Sequence, residues 1–202
     1  MPASLIFRLR FFTLPCFSPI RRGLRWHTRL PTRLQFSSGL RTWLLDSGSL
    51  TAKLIRLSQG DFQVEVLRQW HGRAHTDEAL ALGIPLQQRC LIREVVLKGR
   101  NQPWVFARSL LPLTSLTGPL RHLRKQTNKP LGAFLFSQPH LQRSPIALTQ
   151  ISRHHAYVPT NLMGDSPVWG RRSVFSLRHR PLLVSEVFLA DFCRAANCLI
   201  EP

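Results

Sequence analysis

Two apolar runs near the middle of the chain, residues 91–97 (LIREVVL) and 104–110 (WVFARSL), constrain the fold more than anything else in it. Both are rich in β-branched and aromatic residues, and the six residues between them (KGRNQP) include a Gly and a Pro, so the pair predicts a β-hairpin. Side chains alternate along a strand. That puts Arg93 on one face with Leu91, Val95 and Leu97, and Arg108 on one face with Trp104 and Phe106. A guanidinium aimed into apolar surroundings loses its hydration and needs an anion to compensate. Residues 182–189 (LLVSEVFL) present the converse, with Glu186 on the face of Leu182, Val184 and Phe188. Two inward cations and one inward carboxylate in apolar strands predict a lined cavity.

The flanking segments supply the rest of one domain. A short helix is expected over residues 40–45, ending at Asp46-Ser47-Gly48-Ser49, and Ser49 is placed to cap a second helix carrying Leu50, Leu54 and Leu57 at helical spacing. A strand over 62–70 and a helical turn over 76–82 lead into the central hairpin. Beyond it come a basic helix through Leu120, Leu123 and Arg124, a compact apolar turn at 130–136, and a strand at 148–152. A Pro/Asn/Gly loop over 154–167 precedes a second hairpin, whose strands 168–177 and 182–189 meet across 178–181. Helices segregated from consecutive antiparallel strands predict an α+β domain, a single antiparallel β-sheet covered on one side by helices.

Charge narrows the partners. Lys and Arg number 28 against 10 Asp and Glu, a formal net charge of +18. No acidic residue precedes Asp46, whereas Arg8, Arg10, Arg21, Arg22, Arg25, Arg29, Arg33 and Arg41 do. Residues 1–37 lack the unbroken apolar core of a signal peptide, and their prolines spoil the amphipathic helix of a transit peptide. The expectation is a disordered basic leader, or translated upstream sequence, ahead of a domain at 38–202. A basic chain raises the odds of nucleic-acid contact, but no basic block and no RNA-recognition motif accompanies the charge, and a small dianionic substrate suits it equally. Cys16, Cys90, Cys193 and Cys198 show no metal-ligand spacing, and the pairs His71/His75 and His154/His155 lack partner ligands, so neither zinc nor a disulfide framework is expected and a reduced cytosol fits. No run is long enough to span a bilayer.

Six ordered motifs stand out together: Ile92-Arg93-Glu94; the strand from Pro103-Trp104 to Arg108; Leu116-Thr117-Gly118-Pro119; Pro130-Leu131-Gly132; Trp169-Gly170-Arg171-Arg172-Ser173; and residues 182–189 around Glu186. Singly, each has a plainer reading. Arg93 and Glu186 suit a buried ion pair, and Arg171 and Arg172 suit a solvated turn. In combination and order they resemble the chorismate pyruvate-lyase family, over residues 40–189. That family makes 4-hydroxybenzoate and pyruvate from chorismate at the start of bacterial ubiquinone synthesis.

The resemblance implies an antiparallel sheet with helical flaps closed over a buried site. It implies that Arg93 binds the ring carboxylate with the backbone amides of Leu50 and Leu131, and that Glu186 faces the hydroxyl at the other end. Arg93 and Glu186 would then be the catalytic pair. Where the family often has methionine this chain has Leu50, and where it has glycine this chain has Ala107. The residue types suit the chemistry: a carboxylate takes arginine's planar fork, and a hydroxyl takes a carboxylate acceptor. Chorismate has a second carboxylate, for which Arg108 is the candidate. Aromatisation drives the reaction, so no metal or redox cofactor is expected, and a cytoplasmic monomer acting on a small molecule is implied. Whether Glu186 takes a proton or only orients the hydroxyl stays open. The same fold serves the effector-sensing domains of GntR-type regulators, a binding module without catalysis; a regulator needs a winged helix, for which the leader is too short and too proline-rich. A basic nucleic-acid-binding protein is the third reading.

Overall fold

Seven strands form one antiparallel sheet in the computed structural model, which describes residues 24–29, 36–125 and 129–198. They are β1 (Phe62–Arg73), β2 (Arg89–Gly99), β3 (Gln102–Pro112), β4 (Gln142–Arg143), β5 (Ala147–Ile151), β6 (Val168–Leu177) and β7 (Arg180–Phe188). The order is β1-β2-β3-β7-β6-β4, with β5 also paired to β6. Strands β2 and β3 are buried along nearly their whole length, on both faces, which is why their sequences read as almost continuous apolar runs. The edge strand β1 instead alternates half-buried with exposed positions.

Both predicted hairpins form, with tighter turns than expected. Arg100 and Asn101 join β2 to β3 at φ 52° and 60°, and Arg178 and His179 join β6 to β7 at 50° and 60°. Left-handed conformation at both central residues matches the strand twist, the usual reason for two-residue hairpin loops. A register shift between Leu97 and Lys98 turns Trp104 away from the face of Phe106. Its ring lies over Gly99, where an added Cβ would stand 2.2 Å from the indole, so only glycine fits beneath it.

Five helices attach to this sheet: α1 (Ser38–Leu44), α2 (Leu50–Leu57), α3 (Thr76–Leu82), α4 (Leu131–Phe136) and α5 (Ala190–Ala195), with a 3₁₀ turn over Gly118–Lys125. Ser49 caps α2 as its sequence predicts, its hydroxyl accepting from the Ala52 amide. Residues 131–136 were expected as part of a turn and are a helix. Pro130 enters it at φ −67°, a value its ring imposes anyway, but six residues are too few to show a helical period.

The expectation of helices on one side only is corrected. On one face, α1, α2 and α5 pack Leu40, Leu44, Leu50, Leu54 and Phe192 against Val95, Leu97 and Phe188. The other face is covered too: Leu82 of α3 meets Ile92, Leu110 and Leu183, while Val158 and Met163 of the 154–167 loop meet Phe106 and Val187. Leu24 joins that second cluster, His27 bridges to Leu148, and Trp26 lies edge-on to Tyr157 at 6.2 Å. Phe36 packs on Trp169 with ring centres 5.1 Å apart. The boundary drawn after residue 37 is therefore too late, because 24–29 and 36–37 pack on the domain. The rest of the expected leader, residues 1–23 and 30–35, lies outside the described residues.

Candidate functional site

Strands β2, β3, β6 and β7 and the helices α2 and α4 enclose a cavity of about 40 Å³. Alternation decides which side chains reach it. Arg93, Val95 and Leu97 come from β2, Ala107 and Ser109 from β3, and Val184 and Glu186 from β7, each set spaced by two. Leu50 and Thr51 of α2 and residues 130–132 at the start of α4 close it from above. An apolar cavity that holds benzene measures about 150 Å³, so a ring-sized ligand fits here only when the walls move apart.

At one end stands Arg93, 5% exposed, with Nη2 donating to the Lys129 carbonyl at 3.3 Å. Burial pushes its pKa below the ordinary guanidinium value. Leu50 and Leu131 are the first residues of α2 and α4. A helix has no internal acceptor for its first amides, so both N–H groups stay available where these residues line the cavity. The sequence thus brings a planar cation and two helix-start amides to one place.

Glu186 lines the other end and retains 18% exposure of its side chain. In the strand ladder Arg93 opposes Ser109 and Glu186 opposes Ala107. Two strand spacings and a two-residue offset separate their Cα atoms by about 12 Å, room for a small aromatic acid between the side chains. No direct Arg93–Glu186 ion pair is found among the described residues; the partner of Glu186 is Arg171, whose Nε donates to Oε2 at 2.7 Å. Arg171 is 1% exposed, and its Nη1 donates to the carbonyls of Trp43 at 2.7 Å and Asp46 at 2.8 Å. Those carbonyls belong to the end of α1 and the loop before α2. Glu186 is thereby fixed to the flap region through one buried guanidinium. Its Oε1 has no protein hydrogen bond among the described residues, which leaves one carboxylate oxygen to accept from a ligand.

Sequence reasoning missed Arg171. In the run Trp169-Gly170-Arg171-Arg172-Ser173 two adjacent arginines read as a solvated turn, but they lie inside β6 and point to opposite faces. Arg172 Nη1 reaches Asp77 at 2.7 Å on the far side. The available signal was parity: Arg171 shares its face with Trp169, Ser173 and Phe175.

Arg108 is the correction in the site. It is as buried as expected, at 4% exposure, but it opposes Glu94, not Arg93, in the β2–β3 register and so points away from the cavity. There its Nε and Nη2 hold Glu78 at 2.7 and 3.1 Å, and Nη1 holds Glu94 at 2.6 Å. Arg68 bonds Glu94 from the rim at 2.6 Å. Two carboxylates already satisfy this guanidinium, and these partners raise its pKa although burial alone would lower it. Arg93, Leu50, Leu131 and Glu186 are brought together; Arg108 is not.

The family described as Chorismate lyase matches residues 24–195, a span that includes the packed segment at 24–29. A probable chorismate pyruvate-lyase of Psychromonas ingrahamii is 38% identical over 176 residues, 85% of this chain and 93% of that protein. One from an Azoarcus species is 43% identical over 176 residues, 83% of this chain and 91% of the relative. Among solved structures, the effector domain of PhnF from Mycobacterium smegmatis superposes with a TM-score of 0.52 at 18% identity, covering 73% of this chain and 91% of that one. That last likeness is one of fold.

Proposed function

Because the chain belongs to the chorismate lyase family, we propose that its enclosed cavity holds chorismate and the 4-hydroxybenzoate formed from it, with Arg93 and Glu186 at the two ends of the ring. The chain is a lyase that converts chorismate to 4-hydroxybenzoate and pyruvate. Arg93 takes the ring carboxylate in a charge-assisted contact, and the Leu50 and Leu131 amides add neutral ones. Glu186, with Oε2 held by Arg171, accepts from the ring hydroxyl through Oε1. The carbon bearing that hydroxyl loses its hydrogen, the adjacent C–O bond to the enolpyruvyl group breaks, and the electrons close the aromatic ring. The hydrogen ends on the methyl carbon of pyruvate. Fixing the ring at both ends holds the ether side chain in a reactive conformer, and closed flaps exclude water.

The observation that carries this reading is one cavity bounded by a buried arginine and a carboxylate, on opposite ends and not paired with each other. The same reading makes the protein a cytoplasmic monomer that acts on a small molecule and not on nucleic acid; both sheet faces are covered within the chain, as suits a monomer. No helix among the described residues is long and apolar enough to cross a membrane. Cys90, Cys193 and Cys198 are free thiols, and burial pushes the first two up to about 11. The test is direct. Purified protein incubated with chorismate releases 4-hydroxybenzoate, followed by ultraviolet absorbance, with equimolar pyruvate; no release, beside a salt-sensitive shift of labelled nucleic acid, would overturn the reading.

A further inference from the structure

The displacement of Arg108 from the cavity leaves the substrate's second carboxylate without a cation. Chemistry says where that cation must be. The enolpyruvyl ether sits on the ring carbon next to the one bearing the hydroxyl, so its carboxylate lies at the Glu186 end, far from Arg93. Arg171 is at that end, but its charge is already paired with Glu186 through Nε, and its Nη1 is held by two backbone carbonyls.

Arg143 is the other cation there. It belongs to the two-residue strand β4, where its register partner is Phe175, a ring that lines the cavity. The guanidinium carbon lies 5.1 Å from the centre of that ring. Nε donates to Ser173 Oγ at 3.0 Å, and Nη1 donates to the Ser47 carbonyl at 2.7 Å. Nη2 has no acceptor, and no carboxylate comes within ion-pair distance of Arg143, among the described residues. Burial and the charge of Arg171 press its pKa down, with Glu186 and Asp46 offsetting only part. It is a half-buried cation short of negative charge, stacked on a wall of the cavity, at the end where the substrate has an unassigned carboxylate.

We propose that Arg143 binds the carboxylate of the enolpyruvyl group across the edge of Phe175 and so selects chorismate over ring acids that lack it. This rests on the reading of the cavity as a chorismate site. Its bonds to the loop before α2 offer a different role, anchoring the flap, and the two roles separate by ligand. An anchor matters to every ligand that uses the Leu50 amide; a carboxylate receptor matters only to ligands with two carboxylates.

The experiment compares Arg143→Met and Arg143→Lys with the wild type, using kcat and KM for chorismate and calorimetric Kd for two stable ligands. One is 4-hydroxybenzoate; the other is 3-(carboxymethoxy)-4-hydroxybenzoate, which has a second carboxylate on an ether beside the hydroxyl. Arg143→Met raises the chorismate KM and the dicarboxylate Kd roughly tenfold to a hundredfold, the range of a charge-assisted hydrogen bond, and leaves the 4-hydroxybenzoate Kd unchanged. Arg143→Lys recovers part of the loss, since charge returns without the fork. Parallel weakening of both ligands, or weakening of neither, overturns the proposal. A wild-type protein that does not turn over chorismate overturns the underlying reading as well. Turnover with an unaltered dicarboxylate preference in Arg143→Met overturns only the role of Arg143.

Discussion

At the scale of the residue, two buried arginines fifteen positions apart do different work because they point to opposite faces of the sheet. Arg93 meets a cavity, whereas Arg108 meets Glu78 and Glu94. Replacing Arg108 by Met strands the buried Glu78, while Glu94 keeps Arg68, so urea denaturation is expected to show a loss of about 3–5 kcal/mol, with 4-hydroxybenzoate affinity of the folded protein unchanged. Lost affinity at undiminished stability would return Arg108 to the site. The cluster also sets a pH dependence. Burial alone would raise the Glu78 carboxyl, but the Arg108 hydrogen bonds and charge, with the His75 amide, outweigh it and hold the group below its ordinary 4.5. Its folded pKa being depressed, the stability it contributes is complete above pH 4.5 and is lost as pH falls from there through the native value. A Glu78→Gln protein should lose less stability over that acid interval than the wild type does. The burial of both arginines was legible from alternation within each strand. Which faces they shared was not, because relative facing depends on the cross-strand register: the turn at Arg100 and Asn101 alone would set Arg108 opposite Arg93, and the shift between Leu97 and Lys98 sets it opposite Glu94.

At the scale of the element, the small cavity must widen to admit a ring, and α2 and α4, which cover it, are the elements expected to move. Helix α2 was legible in the sequence because Ser49 caps it and its leucines recur at helical spacing. Helix α4 was not, since six residues give no period and its proline and glycine read as a turn. The two approach closely enough to be tied together. A Cβ built on Gly132 lies 3.1 Å from Thr51 Oγ1, within the reach of a disulfide between cysteines at the two positions. Oxidised Thr51→Cys/Gly132→Cys protein should exchange bound 4-hydroxybenzoate more slowly, on the order of tenfold or more, and recover on reduction. Stopped-flow displacement measures this. Exchange at the wild-type rate with the disulfide intact would show that ligand enters elsewhere.

At the scale of the whole molecule, the net charge of +18 pointed in two directions, toward polyanions and toward a small dianion, and could not choose. Six short motifs in fixed order chose. What they left out was Arg143 and the inward contacts of Arg171, cations whose neighbours include backbone carbonyls and ring faces supplied by segments far away in sequence, such as Asp46 and Ser47. No local pattern encodes such contacts. The central claim is that one ligand spans the cavity, carboxylate on Arg93 and hydroxyl on Glu186, and the most direct measurement is calorimetry with 4-hydroxybenzoate and with benzoate, which lacks only the hydroxyl. A hydrogen bond to a charged group contributes about 1.5–3 kcal/mol, so the wild type should prefer 4-hydroxybenzoate at least tenfold. Arg93→Met should weaken both ligands together, and Glu186→Gln should erode the preference while leaving benzoate affinity unchanged. A preference that survives Glu186→Gln intact, or benzoate binding that survives Arg93→Met, would contradict the account.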